Sequence, residues 1–263
     1  MALSHSLIQM LFDLRRQGAI GTGEPLSMIE LGEQNWFGDI PAEDVGFIID
    51  NANLPDERRQ QLHEELAAVL ERKDRQRMWD LTKIFYKVVF NYSSYKAIDL
   101  HGTAEALMLD LNEPLNLNEQ FDLVTNIGTT EHVFNQYQAF KSIHELVRPG
   151  GKMLHSLPNQ GCYDHGFFNY HPTFFYDLCL ANRYEILLMT YIDCSTTPHK
   201  IVALGNQADY VRLAIDKKLS GYSGLMCILR APAEPAPFKI PQQGFYDNRL
   251  PPELQQAWKD LPR

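Results

Sequence analysis

Glu131 and His132 stand side by side and carry residue types suited to proton transfer, since an imidazole titrates near neutrality and an adjacent carboxylate raises its pKa. His165, in the later run NQGCYDHGFFNYHP, adds a second imidazole, and one carboxylate with two imidazoles is also a donor set for a divalent cation. Three further acids, Glu30, Asp99 and Asp110, each lie at the end of a short apolar run (SMIEL, YKAIDL, ALMLDL). A carboxylate there can accept hydrogen bonds from ligand hydroxyls or from an exocyclic amine. Asp99 and Asp110 are each also of a residue type that caps helices and turns. Gly32 follows the first run and lets the backbone approach a ligand closely. Gln34 and Trp36 stand where a glycine-rich fingerprint would continue, so this loop alone says little.

These residues need strands and helices to hold them. The stretch FDLVTNIGTTEHVFNQYQAFKSIHELVRPGGKMLHSLPN predicts a strand, a polar loop, a helix with Ala139, Phe140, Ile143, Leu146 and Val147 on one face, and a second strand from Lys152 to Leu157. Pro149, Gly150 and Gly151 are expected to end the helix, a glycine taking the left-handed conformation there. Two strands joined by a helix form a parallel pair, and ligands gather beyond the carboxyl ends of such strands. Asn126, Thr129, Thr130, Glu131 and His132 fall at that place. Glu131 at a helix start would equally serve to stabilise the helix dipole.

Along the whole chain the spacing predicts seven strands: Leu26 to Leu31, Tyr95 to Leu100, Ala106 to Leu109, Phe121 to Asn126, Lys152 to Leu157, Tyr184 to Tyr191 and Ser223 to Ala231. Strands alternating with helices make an α/β domain with a mostly parallel sheet. Residues 1–263 are expected to form one domain with a flanking helix in 1–20 (Leu7, Ile8, Leu11, Leu14), a helical insertion over 40–94 that covers the site, and a Pro-rich tail over 232–263 without its own core. In the insertion, Leu62, Leu66, Val69 and Leu70 share one helix face and Met78, Leu81, Phe85 and Val88 another. Phe174, Phe175 and Leu178 have core spacing behind Pro172, which opens a helix. Phe167 and Tyr170 precede that helix and are candidate walls of an acceptor pocket, with Trp36 and Phe37 opposite. His155, inside the fifth strand, reads as a buried, satisfied histidine.

With 44% apolar residues among 263, the chain can bury a full core. A net charge of -9 argues against a nucleic-acid partner, which would call for clustered Lys and Arg. The four cysteines contain no CxxC pair, so neither zinc nor a disulfide framework is signalled, and a reducing, cytoplasmic compartment fits. No membrane span is expected.

In order and spacing from Glu30 through Leu157 the chain resembles the class I S-adenosylmethionine-dependent methyltransferases, most specifically in FDLVTN, TTEHV and RPGGKMLHSLPN. The resemblance implies a Rossmann-like α/β fold with helices on both faces of the sheet and S-adenosylmethionine as cofactor. It implies a cofactor set of Glu30, Gly32, Gln34, Asp99, Asp110, Leu111 and Asn126. Within it, Asp99 takes the ribose hydroxyls, Asp110 the adenine amine, and Asn126 lies beside the methionine moiety. A small-molecule acceptor is expected, with His132, Glu131 and His165 as the catalytic group and Trp36, Phe167 and Tyr170 around the acceptor. Some enzymes of this class bind a divalent cation through an acid-His pair and a later His. Gly128 stands where those enzymes have a further acid, so no metal is expected at Glu131, His132 and His165. Other chemistry of the same cofactor, such as intramolecular displacement releasing methylthioadenosine, and a non-catalytic cofactor-binding module are the alternatives.

Overall fold

The computed structural model describes residues 2–36, 40–246 and 250–261. It divides the chain into two compact units, Met1–Leu109 and Asp110–Arg263, where the sequence suggests a single domain.

The first unit opens with strand β1 (Ala2–Leu3), which pairs in parallel with β3 (Asn35–Trp36). Helix α1 (His5–Arg16) lies between them in sequence. Ser4 caps it by accepting from the Leu7 amide, and Leu7, Ile8 and Leu11 are buried as their spacing predicts. Strand β2 (Leu26–Leu31) pairs in parallel with β4 (Tyr92–Ile98). The expected third strand is reduced to one bridge, Ile98 to Leu107. Its apolar run is too short to hold a ladder on its own.

The insertion between β2 and β4 forms α2 (Asp44–Asp50), α3 (Asp56–Leu70) and α4 (Arg77–Val89). Leu62, Leu66, Leu81, Phe85 and Val88 are buried, so the predicted faces are the packed ones. Trp36 corrects an expectation: it is 1% exposed, its indole N–H donates to the Ile40 carbonyl (3.1 Å), and its ring meets Phe85 edge to face at 5.8 Å. It belongs to the core of this unit and does not wall an acceptor pocket. Phe37 lies outside the described residues.

Among the described residues the second unit carries five strands: β5 (Phe121–Ile127), β6 (Val147–Gln160), β7 (Glu185–Asp193), β8 (Lys200–Ala203) and β9 (Ser223–Arg230). Their order is β5-β6-β9-β7-β8. β5 and β6 run parallel; β6 with β9, β9 with β7 and β7 with β8 are antiparallel. The sheet is therefore mixed, and β8 is an edge strand the sequence pattern did not announce.

Between β5 and β6 come a single 3-10 turn, Thr130–His132, and helix α5 (Gln136–Leu146), capped by Asn135, whose side chain accepts from the Gln138 amide. The helix ends at Leu146, before the Pro-Gly-Gly. Val147 is already extended, and Gly150, at φ +72°, sits in an irregularity of β6 where its N–H donates to the Pro232 carbonyl. Helix α6 (Pro172–Asn182) begins on Pro172 and buries Phe175 and Leu178. Helix α7 (Gln207–Ile215) packs on α8 (Pro252–Asp260) through Ala208, Val211, Leu254 and Ala257. The tail thus packs against α7, because Leu254, Ala257, Trp258 and Leu261 recur at helical spacing behind a Pro-initiated turn. Among the described residues no helix is long and apolar enough to cross a membrane.

Candidate functional site

In the first unit, Glu30 ends β2 fully buried. Its Oε1 accepts from the Tyr86 hydroxyl (2.6 Å), and Oε2 accepts from the Tyr95 hydroxyl (2.7 Å) and the Gln34 amide (3.1 Å). Burial raises its pKa to about 7, against the pull of those donors. With three protein donors on its two oxygens, Glu30 organises the strand-end loop. Losing one donor leaves a buried carboxyl oxygen unpartnered. Tyr86→Phe is therefore expected to cost about 1–3 kcal/mol of stability in urea unfolding; a change below about 0.5 kcal/mol would mean the bond is unimportant.

Gly32, at φ +75°, takes the left-handed turn after β2, and its N–H donates to the Ile98 carbonyl (2.7 Å). Gln34 is buried and donates from Nε2 to the Gly32 carbonyl. Glu33, unremarked in the sequence, is buried and accepts from Thr103 N–H (2.6 Å) and Thr103 Oγ1 (3.0 Å). Asp99, one residue beyond β4, accepts from the Glu33 amide (2.9 Å) and the His101 amide (2.7 Å). A carboxylate has about four lone-pair sites, so two remain for ligand hydroxyls. Gly32 and Asp99 thus fit the turn and the acceptor that a nucleoside cofactor calls for.

In the second unit, Asp110 is exposed, and its Oδ1 accepts from the backbone and side-chain amides of Asn112 (both 2.8 Å). Leu111 beside it is buried. Asn126 is fully buried near the end of β5. It lies opposite His155 in the β5-β6 register, and its Nδ2 reaches His155 Nδ1 (3.1 Å) and Thr130 Oγ1 (2.9 Å), while its Oδ1 accepts from the Thr130 amide (3.2 Å). Its side chain is committed inward and shapes the 3-10 turn. His155 is buried but only half satisfied, since its Nε2 has no hydrogen-bond partner; it packs on Phe140 and Phe175, and burial pushes its pKa down to about 3. It stays neutral.

That turn presents Glu131 and His132. Because Asn135 is the cap of α5, Glu131 is released from dipole duty and points into the protein, 1% exposed. Its backbone carbonyl accepts from the amides of Phe167 (2.8 Å) and Phe168 (3.3 Å), which fastens the loop after β6 to the turn. A Cβ on Gly166 would lie 2.9 Å from that carbonyl, so only glycine permits the approach. The loop brings His165 Nε2 to 3.6 Å from Glu131 Oε1, with His132 Nε2 at 4.0 Å, and the two imidazole centroids are 4.9 Å apart. Neither distance is a hydrogen bond. Glu131 Oε2 has no hydrogen-bond partner at all.

Burial raises the Glu131 pKa to about 7. His132 moves the other way: burial first, then the nearby His165, lowers its pKa, so Glu131 does not make it more basic as its adjacency suggests. The ligand atoms of the three residues lie within 4.8 Å of one another. Tyr170 is buried, with its hydroxyl 2.7 Å from Gln136 Oε1 and 3.1 Å from Thr130 Oγ1; it anchors the loop and does not wall a pocket. Phe167, in contrast, is exposed, as is Phe134, a residue the sequence reading passed over.

The strands and helices of the two units are those of an α/β protein. The family of methyltransferase domains matches residues 20–199, more than half of the chain, and the chain belongs to it, as a class I methyltransferase whose cofactor is S-adenosylmethionine. No curated protein matches the chain. Solved structures that resemble it include the N-methyltransferase NodS from Bradyrhizobium japonicum WM9, at 12% identity and TM-score 0.37, covering 86% of this chain and 94% of that one. Another is the [4+2]-cyclase SpnF, at 11% identity and TM-score 0.40, covering 86% and 81%. A third is the 1,6-didemethyltoxoflavin-N1-methyltransferase from Burkholderia thailandensis, at 11% identity and TM-score 0.36, covering 86% and 78%.

Proposed function

We propose that this methyltransferase acts on a small-molecule acceptor and that Glu131, aided by His132 and His165, takes the acceptor's proton. The observation that carries this reading is the buried Glu131 carboxyl, with one oxygen unpartnered and two imidazoles at its mouth. S-adenosylmethionine supplies an electrophilic methyl group on a sulfonium. As the acceptor's lone pair bonds to the methyl carbon, the proton it releases passes to Glu131, and sulfur keeps the electrons of the broken S–C bond. A base with pKa near 7 is well matched to this at neutral pH. His132, held neutral, and His165 orient the acceptor by hydrogen bonding. Asp99 and Asp110 are assigned to the ribose hydroxyls and the adenine amine.

The test is product analysis: S-adenosylmethionine and a panel of phenols, amines and carbon acids are incubated with the full chain. S-adenosylhomocysteine with a methylated acceptor supports the reading, whereas methylthioadenosine points to intramolecular displacement. Cofactor binding with no turnover on the panel points to a binding module.

A second reading has its own support in the three donors within 4.8 Å, which suit a divalent transition ion. Under the proton-transfer reading, turnover survives a strong chelator. Loss of turnover on chelation, restored by added zinc, cobalt or manganese, would favour the metal.

A further inference from the structure

Glu33 is buried in the loop after β2, next to Gly32, and the proposed chemistry gives it no part. Its backbone N–H donates to Asp99 Oδ2 (2.9 Å), while its carboxylate accepts from the Thr103 amide (2.6 Å) and the Thr103 hydroxyl (3.0 Å). Glu33 therefore grips the loop after β4 at both Asp99 and Thr103. Between them stands Gly102, where a Cβ would lie 2.8 Å from Glu33 Oε2 and 2.9 Å from the Cβ atoms of Asp99 and Ala106. Only glycine lets the acid come so close. From α4, Lys83 Nζ stands 3.8 Å from Glu33 Oε1 and 2.6 Å from Glu105 Oε2. The insertion thus supplies a cation to a carboxylate that is 1% exposed, and a buried charge persists where a partner and hydrogen bonds compensate it.

We infer that Glu33 is a positioning residue for the cofactor: by holding Thr103 with its carboxylate and Asp99 with its amide, it fixes the orientation in which Asp99 meets the ribose hydroxyls. This deepens the assignment of Asp99 to the ribose and rests on it. The His101 amide holds the other Asp99 oxygen, Oδ1, at 2.7 Å, so each oxygen accepts one amide and keeps a lone pair for a hydroxyl. Turning the carboxylate would break one of these bonds. The pose of Asp99 is therefore set by where the Glu33 amide stands, and the two Thr103 bonds set that. Glu33 acts through Asp99 and needs no contact with the ligand.

The experiment is calorimetry of the full chain with S-adenosylhomocysteine and with its analogue lacking both ribose hydroxyls, the ratio of the two affinities being the worth of those hydroxyls. In the wild type that ratio is expected to be at least about tenfold, since hydrogen bonds to a charged group are the strong ones. Glu33→Ala should bring it below about threefold, as the Asp99 carboxylate loses its fixed pose. Glu33→Gln should keep it within about twofold of wild type, because glutamine offers an oxygen to the Thr103 amide and an N–H to the Thr103 hydroxyl. Thr103→Val deletes the hydroxyl bond alone and reads the same clasp if Glu33→Ala does not fold; its ratio should fall at least about twofold. A ratio unchanged in Thr103→Val or in folded Glu33→Ala, with both affinities intact or both equally weakened, would overturn the inference and leave Glu33 a structural residue. The ribose assignment is read separately by Asp99→Ala: a collapsed ratio upholds it, and a ratio like that of the wild type removes it and the inference together.

Discussion

Glu131→Gln is expected to slow methyl transfer by about 10²–10⁴-fold, the usual contribution of a positioned base, while S-adenosylmethionine binding changes by less than about twofold. Glutamine keeps the shape of the side chain but cannot take a proton. The same substitution should stabilise the protein at pH 8. The folded-state pKa of Glu131, about 7, is raised above its ordinary value. Its contribution to stability is therefore complete below pH about 4.3, where an unfolded glutamate protonates, and is lost as pH rises through about 7. Removing the charge removes that loss. Thermal unfolding at pH 5 and pH 8 reads it directly: the gap between wild type and variant should favour the variant more at pH 8. A variant that lost activity and stability together at both pH values would make Glu131 a structural residue.

Asp99→Ala is expected to weaken S-adenosylmethionine binding by more than tenfold, which is more than about 1.4 kcal/mol. Asp99 already accepts from the Glu33 and His101 amides, so its removal also loosens the loop after β4. The two effects separate by measurement. Calorimetry with S-adenosylhomocysteine reads the ligand contact, and urea unfolding without ligand reads the loop. A loss of stability with unchanged affinity would leave Asp99 as a loop anchor and remove the ribose assignment.

The sequence carried the strands that hold these residues because β2, β5 and β9 are buried apolar runs, which announce themselves without tertiary context. It also carried the meeting of Glu131, His132 and His165, since loops following adjacent parallel strands emerge at the same edge of a sheet. What it did not carry depends on neighbours distant in sequence. The partners that hold Glu30, Tyr86 and Tyr95, and the His155 that holds Asn126 lie far along the chain. Trp36 and Tyr170 read as pocket walls, and burial of both was invisible in their local sequence. Phe134 was missed for the opposite reason: nothing in a sequence separates an exposed phenylalanine from a core one. The direction of the His132 shift was missed because adjacency to Glu131 suggested a charge partner, whereas burial governs both groups.

The claim on which the chemistry rests is that Glu131 ionises near neutrality. Its carboxyl carbon can be followed by NMR in protein labelled at glutamate, with the resonance assigned by its absence in Glu131→Gln. A titration midpoint at about 7 is the predicted result. A midpoint in the ordinary glutamate range, about 4.3, would contradict the account and leave the site without its base.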